Sequence, residues 1–245
     1  MSFSSSFSTS QRPGVPPLEV RLLRGGSLES VHRVHAVVCD QRGRVLMRAG
    51  DPQRLSFVRS ALKPFQAQVF VASGAADQAG NDDRGLAIAC ASHAGTPAHA
   101  REAFKLLWNA DLETEQLQCP IPKGGTSPLE HNCSGKHAAF LASCRRMHWP
   151  LESYLQPDHP LQQQVLKQVG DLLGMPGAEL VTARDDCGAP TLQLQLAQMA
   201  LLFAHLGGLR TGRPGAAQPG DAGPSGAGGG PWPVRHRGDV AGPRP

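Results

Sequence analysis

The chain has 245 residues, of which 28 are Gly and 21 are Pro, and its formal net charge is +4. Residues 207–245 hold 12 of the Gly and 7 of the Pro and have a net charge of +3, against +1 for residues 1–206. The first 206 residues therefore show no basic excess that would suggest nucleic-acid binding, and no run of about 18 apolar residues predicts a membrane span.

Residues 1–17 are predicted to be a disordered leader. They contain six Ser but lack a charged segment followed by an apolar one, so they do not resemble a secretory signal. The chain has six cysteines. Without a secretory signal, these cysteines are expected to be reduced thiols in a cytoplasmic protein.

Residues 18–206 are predicted to form the globular domain. The first half predicts strands over 18–23 and 31–39, and a turn at Asp40–Gly43 that returns through 44–48 as an antiparallel hairpin. Helical spacing of apolar residues predicts a helix over 60–76, with Gly74 near its end.

The second half of the domain is predicted to be mostly helical. The apolar run 86–91 is compatible with either a strand or a helix, and a short strand is predicted over 179–183. Four helices are predicted, over residues 97–109, 135–148, 160–173 and 191–206. The mixture predicts an α/β or α+β sandwich.

Residues 207–245 are predicted to be a disordered Gly/Pro/Arg-rich tail. Leu, Ile, Val and Phe are represented there only by Leu209, Val234 and Val240, too little apolar surface to offset the entropy of ordering. A second hypothesis is translation in a shifted frame, because GC-rich codons read out of frame give Ala, Gly, Pro and Arg.

The segment Ser60-Ala61-Leu62-Lys63 can place a nucleophile beside a base. Residues i and i+3 share one face of a helix, and a desolvated Lys can accept the proton of a Ser hydroxyl. Pro64 is tolerated only near a helix start, so the helix is expected to begin at about Ser60. An ordinary helix-capping Ser with a solvated Lys is the alternative.

Three further segments bring together polar and nucleophilic residues. Ser92 and His93 follow an apolar run and can line a site, although Ser92 can equally be a helix cap. Cys133 and Cys187, each in a segment dense in polar residues, can supply two thiolates to one tetrahedral Zn²⁺. Neither lies in a C-x-x-C motif, so two separate buried thiols remain the alternative.

Six motifs occur in one order between Glu19 and Leu206: E-V-R-L-L-R-G-G-S-L-E-S-V-H-R, R-S-A-L-K-P-F-Q, C-A-S-H-A-G-T-P-A-H, N-C-S-G-K-H-A-A-F-L, Y-L-Q-P-D-H-P-L-Q and D-D-C-G-A-P. This order closely resembles the zinc-binding, rhizobial-type L-asparaginases of the asparaginase II family. The resemblance implies an αβ sandwich like that of serine β-lactamases and glutaminases, and usually a homodimer. It also implies hydrolysis of L-asparagine to L-aspartate and ammonia.

The resemblance also implies roles for individual residues. Ser60 would be the nucleophile, Lys63 its base and Ser92 a second serine of the active site. Cys133, Lys136 and Cys187 match the zinc ligands of the family. Asp185, Arg59 and His93 are expected near the substrate or around the ligands. Whether asparagine or glutamine is preferred is left open.

One feature departs from the family pattern. The resemblance implies a second catalytic lysine in the C-terminal part, and no Lys follows Leu206 here. Loss of a general acid or base typically costs about 10²–10⁴-fold in rate, so this chain is expected to be C-terminally truncated or frameshifted and weakly active or inactive. Two rival readings are a β-lactamase-like serine acyl hydrolase and an inactive remnant that still binds zinc.

Overall fold

The computed structural model describes residues 14–78 and 83–208. Of the predicted leader over residues 1–17, only residues 14–17 are described, and they form no regular secondary structure. Of the predicted tail over residues 207–245, only Gly207 and Gly208 are described, and both belong to the last helix. The remainder of both segments lies outside the described residues.

The N-terminal strands form two separate antiparallel pairs. Strand β1 (Leu18–Arg24) pairs with β2 (Ser27–Val34), and β3 (Ala36–Cys39) pairs with β4 (Val45–Ala49). The prediction of one strand over 31–39 was therefore wrong. The chain breaks at His35, whose Nδ1 accepts the backbone N–H of Asp51 at 2.9 Å, and the two halves pair with different strands.

A third sheet has the order β5-β7-β6 and is antiparallel throughout. Its strands are β5 (Leu55–Phe57), β6 (Val181–Arg184) and the central β7 (Pro190–Gln195). The helix predicted over 191–206 was wrong in its first five residues. There T-L-Q-L-Q alternates with period two, which buries Leu192 and Leu194 and leaves the two glutamines partly exposed. The helix α7 follows directly, over Leu196–Gly208.

The helix predicted over 60–76 consists of three shorter elements. A 3₁₀ turn at Arg59–Leu62 leads into α1 (Lys63–Ala72), and α2 (Ala75–Gln78) follows. Pro64 lies in the first turn of α1, as expected. Gly74 separates α1 from α2 because its φ of +75° is a left-handed conformation that ends a helix.

The bounds of the other helices agree more closely with those predicted from the sequence. They are α3 (Asp83–Cys90), α4 (Pro97–Trp108), α5 (Ser134–Met147) and α6 (Pro160–Leu173). The segment 86–91, compatible with either type of element, is thus the end of a helix. Helix α6 ends at Gly174, which has a φ of +68°.

Helix α5 is the centre of the fold. Every residue from Ser134 to Cys144 is buried, and α1, α3 and α4 all pack against this helix. At Gly135 the backbone of α5 approaches the carbonyl oxygen of Ile88 in α3 so closely that a Cβ atom would collide with it. The first turn of α5 is therefore held rigidly against α3. This turn begins directly after Cys133 and contains Lys136.

Helices and small antiparallel sheets are mixed within residues 14–207, which confirms the predicted α/β class. Among the residues that the structure describes, no helix is both long and apolar enough to span a bilayer.

Candidate active site

Ser60 lies in a 3₁₀ turn that is tied to the central strand of the third sheet. The N–H of Val58 donates to the carbonyl of Leu192 at 2.9 Å, and the N–H of Arg59 donates to the Thr191 hydroxyl at 2.9 Å. Arg59 has a φ of +50°, an uncommon conformation for a residue with a side chain. These bonds hold the backbone in this conformation and present Ser60 at the exposed start of α1.

Ser60, Ser92 and Asn132 form a chain of hydrogen bonds at the surface. The Ser60 hydroxyl donates to Ser92 Oγ at 3.3 Å, and Asn132 Nδ2 donates to the same oxygen at 3.2 Å. All three side chains are exposed. The two serines that the resemblance paired are therefore adjacent in space and accessible to a small molecule.

Lys63 lies beneath this chain and is 1% exposed. Its Nζ donates to the carbonyl of Ala91 at 2.8 Å and to the carbonyl of Asn132 at 3.2 Å. Burial is the main cause that lowers the pKa of Lys63 from its ordinary value. A hydrogen bond with the Cys133 thiol acts on the pKa of Lys63 in the opposite direction. The described hydrogen bonds of Lys63 do not include the direct bond to Ser60 that the i, i+3 spacing predicted.

Cys133, Lys136 and Cys187 converge in the buried space beside Lys63. They are 4%, 3% and 1% exposed, and Lys136 Nζ donates to Cys187 Sγ at 3.1 Å. A hydrogen bond from the Cys133 thiol to Cys187 raises the pKa of Cys133 and lowers that of Cys187. The two thiols are therefore one cluster and not two separate buried cysteines, and Lys63 is close enough for Cys133 to raise its pKa.

A buried pair of aromatic side chains borders the thiols. Tyr154 and His137 are both fully buried, and the Tyr154 hydroxyl lies 2.7 Å from His137 Nδ1 while accepting the N–H of Gln118 at 2.9 Å. His137 Nε2 has no hydrogen-bond partner among the described residues, although Cys187 is close enough to act on the pKa of the ring. Burial lowers the pKa of His137 to about 4.

His93 is buried and follows Ser92 in the chain. It is 6% exposed, its Nδ1 accepts the N–H of Gly95 at 3.2 Å, and its Nε2 lies 3.0 Å from Ser134 Oγ. Since Ser134 Oγ donates to the Leu129 carbonyl at 2.7 Å, Nε2–H is the donor to Ser134. Both ring nitrogens are thus used in hydrogen bonds within the protein. The expected role of His93 near the substrate stays a prediction.

Arg59 and Asp185 are brought together by the loop that precedes Cys187. The Arg59 guanidinium lies 3.0 Å from Asp185 and also pairs with Asp186. The Asp185 side chain is only 9% exposed, whereas that of Arg59 is 54% exposed. This ion pair ties the residue before Ser60 to the loop that holds Cys187.

The structure therefore brings together Ser60, Lys63 and Ser92, and beside them Cys133, Lys136 and Cys187. Sequence reasoning did not assign Asn132, His137 or Tyr154. The sequence offered signals for two of them. Asn132 directly precedes Cys133, and His137 lies one helical turn beyond it. Tyr154 is the only tyrosine in the chain, but nothing local in the sequence predicts its contact with His137.

Comparison with known proteins identifies a family. The family model for L-asparaginase II matches residues 20–219, most of the chain. This match extends 13 residues beyond Leu206, so the resemblance reaches further than its motifs indicated. A search of curated proteins returned no significant match.

Proposed function

The chain belongs to the L-asparaginase II family, and we propose that it hydrolyses the side-chain amide of L-asparagine through a serine–lysine centre. The observation that supports this most directly is the exposed Ser60–Ser92 hydroxyl pair, together with the buried amine of Lys63 that donates to the carbonyl of Ala91, the residue before Ser92. A serine next to a buried lysine is an arrangement that can activate a hydroxyl for acyl transfer.

In the proposed reaction Ser60 Oγ attacks the amide carbon of the substrate side chain. The hydroxyl proton leaves towards Ser92 and Lys63, and the departing amine takes up a proton and leaves as ammonia. The β-aspartyl ester on Ser60 is then hydrolysed by water, which releases L-aspartate and restores the hydroxyl. Backbone N–H groups at the start of the Ser60 helix are the donors available to the oxyanion.

Cys133, Lys136 and Cys187 fit a zinc site. Two sulfur donors and one nitrogen donor suit tetrahedral Zn²⁺, for which the N and S ligands of one ion lie about 3.6 Å apart. Lys136 Nζ and Cys187 Sγ are 3.1 Å apart, so each needs to move only slightly. No group of three His, Cys, Asp or Glu side chains suited to a metal occurs in the described part of the chain, so the proposed site uses Lys136 Nζ as its third donor.

Bound zinc would supply a positive charge that orients the substrate and the site. The protein residues around it have separate tasks. Cys187 receives hydrogen bonds from Lys136 and Cys133, and the Asp185–Arg59 ion pair holds the loop in place. A thiolate site needs reduced cysteines, which supports the proposed cytoplasmic location.

We keep the expectation of low activity as part of the proposal. The resemblance implies a second lysine that partners Ser92, and the last lysine of this chain is Lys167. Ser92 has no lysine partner among the described residues.

The test is ammonia release from L-asparagine and L-glutamine, with the metal content measured on the same preparation. We expect bound zinc and a rate that disappears in Ser60→Ala. Ser73→Ala is the matched control, because this serine lies at the end of α1 and bonds only to nearby backbone groups. Turnover that survives in Ser60→Ala would contradict the serine mechanism.

The two alternative functions predict different experimental results. Hydrolysis of nitrocefin that depends on Ser60 would favour a β-lactamase-like hydrolase. Bound zinc with no turnover and no acylation of Ser60 would favour an inactive zinc-binding remnant.

We also propose the αβ sandwich of serine β-lactamases and glutaminases, and a homodimer. The first is supported by the position of Ser60 between an antiparallel sheet and a helix packed on the buried α5. The second is supported by apolar side chains exposed on β1 and β2, among them Leu22, Leu23 and Leu28. Light scattering on the purified chain measures the oligomeric state.

A further inference from the structure

Asn132 contributes both its side chain and its backbone to the candidate site. Its Nδ2 donates to Ser92 Oγ at 3.2 Å. Its carbonyl oxygen accepts Lys63 Nζ at 3.2 Å and the backbone N–H of His93 at 3.2 Å. One residue thus links the hydroxyl pair, the buried amine and the loop that leads into Cys133.

The side-chain amide determines what the Ser92 hydroxyl can do. A hydroxyl has one proton to donate and two lone pairs that accept. Ser60 Oγ–H and Asn132 Nδ2–H occupy both lone pairs of Ser92. In this arrangement the Ser92 proton is shared with neither neighbour.

Without the amide, the Ser92 hydroxyl loses one of the two hydrogen bonds that hold it and keeps only the one with Ser60. Its side chain is then free to change rotamer and to move its oxygen away from Ser60 Oγ. The amide of Asn132 therefore fixes the position of the oxygen that accepts from the Ser60 hydroxyl.

The fold does not need this amide for stability. The Asn132 side chain is exposed, and exposed hydrogen bonds contribute little to folding because water replaces them. The residue at the N-cap of α5 is Cys133, and no side chain caps that end of the helix. The backbone contacts of Asn132 with Lys63 and His93 are independent of its side chain.

We propose that the side-chain amide of Asn132 is a positioning residue that orders the Ser60–Ser92 pair for acylation of Ser60. This inference rests on the proposed serine mechanism. It assigns the Asn132 amide a role distinct from those of the two serines and Lys63.

The experiment follows acylation of Ser60 directly, without asparagine turnover. The full chain is mixed with p-nitrophenyl acetate, the first release of nitrophenolate is timed, and mass spectrometry of peptides locates the acetyl group. The variants are Asn132→Ala, and Asn132→Asp, which has the same shape but no amide donor. Asn109→Ala, at the far end of α4, is the matched control, and thermal melting is recorded for every protein.

We expect both Asn132 variants to acylate Ser60 about tenfold more slowly than the wild type, the effect of one lost hydrogen bond in the reacting pair. Their melting temperatures should match that of the wild type, and Asn109→Ala should acylate at the wild-type rate. For any measurable turnover of asparagine, kcat should fall and KM should stay constant.

Two results overturn the inference in different ways. Wild-type acylation rates in both Asn132 variants would show that the amide does not order the pair, while the proposed function stands. A wild-type chain that is not acylated at Ser60 would refute the proposed function itself. A slower rate accompanied by an equal loss of thermal stability in both variants would assign Asn132 a structural role and also overturn the proposal.

Discussion

Neutral His93 should make the stability of this protein sensitive to mild acid. Burial lowers the pKa of His93 from 6.5 to about 4, and the positive charges of Lys63 and the rings of His99 and His131 act in the same direction. Protonation of Nδ1 would also break the hydrogen bond from the Gly95 N–H. The folded state therefore takes up this proton only at much lower pH than the unfolded chain does.

The direction and size of the effect on stability follow from this difference in pKa between the folded and unfolded states. Between pH 6.5 and about 4 the unfolded chain binds the proton and the folded protein does not, so stability falls as the pH falls through this range. Each unit of pKa difference corresponds to about 1.4 kcal/mol. Between pH 7 and pH 5, His93 alone should therefore remove about 2 kcal/mol from the free energy of unfolding.

Urea unfolding at pH 7 and pH 5 measures this effect. The comparison is with His93→Asn, because the carboxamide oxygen can still accept the Gly95 N–H but does not titrate. The variant should lose about 2 kcal/mol less than the wild type over that interval. Other groups, including His137, titrate in both proteins and cancel in the difference. Equal losses in the two proteins would refute the assignment of His93 as a neutral, structural residue.

Three further substitutions test the packing and the ion pair around the site. Gly135→Ala should cost about 3 kcal/mol in urea unfolding, since its Cβ collides with the Ile88 carbonyl. Gly207→Ala meets no atom within 4 Å and should be neutral or stabilise α7 by about 1 kcal/mol, so equal effects would contradict the packing argument. Tyr154→Phe should cost about 2 kcal/mol, because the Gln118 N–H and the buried His137 Nδ1 lose their partner; an unchanged free energy of unfolding would mean that water replaces the lost hydroxyl. Arg59→Ala should change the free energy of unfolding by less than about 1 kcal/mol yet lower the acylation rate of Ser60. An acylation rate equal to that of the wild type would show that the ion pair plays no part in the reaction.

Local patterns predicted most helices, and the resemblance to a family supplied the residues of the candidate site. Pro160 and Gly174 marked the limits of α6, and Pro64 marked the start of α1, since each restricts the backbone at its own position. The cysteines and serines of the candidate site came from six motifs that are specific only when taken together, and their roles stay predictions. None of these inferences requires knowledge of distant contacts.

Errors arose where tertiary contacts decide the local structure. His35 divides the segment 31–39, which was predicted as one strand, because its ring accepts a backbone N–H from Asp51, 16 residues away. Residues 191–195 are a strand because β5 and β6 pair with it from both sides, although their composition also suits a helix. Asn132 was missed as a functional residue for the same reason, since its partner Ser92 lies 40 residues away.

The buried amine of Lys63 explains why the two halves of the site cannot move independently. Its two acceptors are backbone carbonyls, one after α3 and one before α5. The same amine interacts with the Cys133 thiol. A neutral Lys63 amine has two N–H groups and one lone pair, so it can donate to both carbonyls and still accept the Ser60 proton. Because Asn132 holds the amine through its carbonyl and Ser92 through its side chain, the positions of the base and of the hydroxyl pair depend on a single residue.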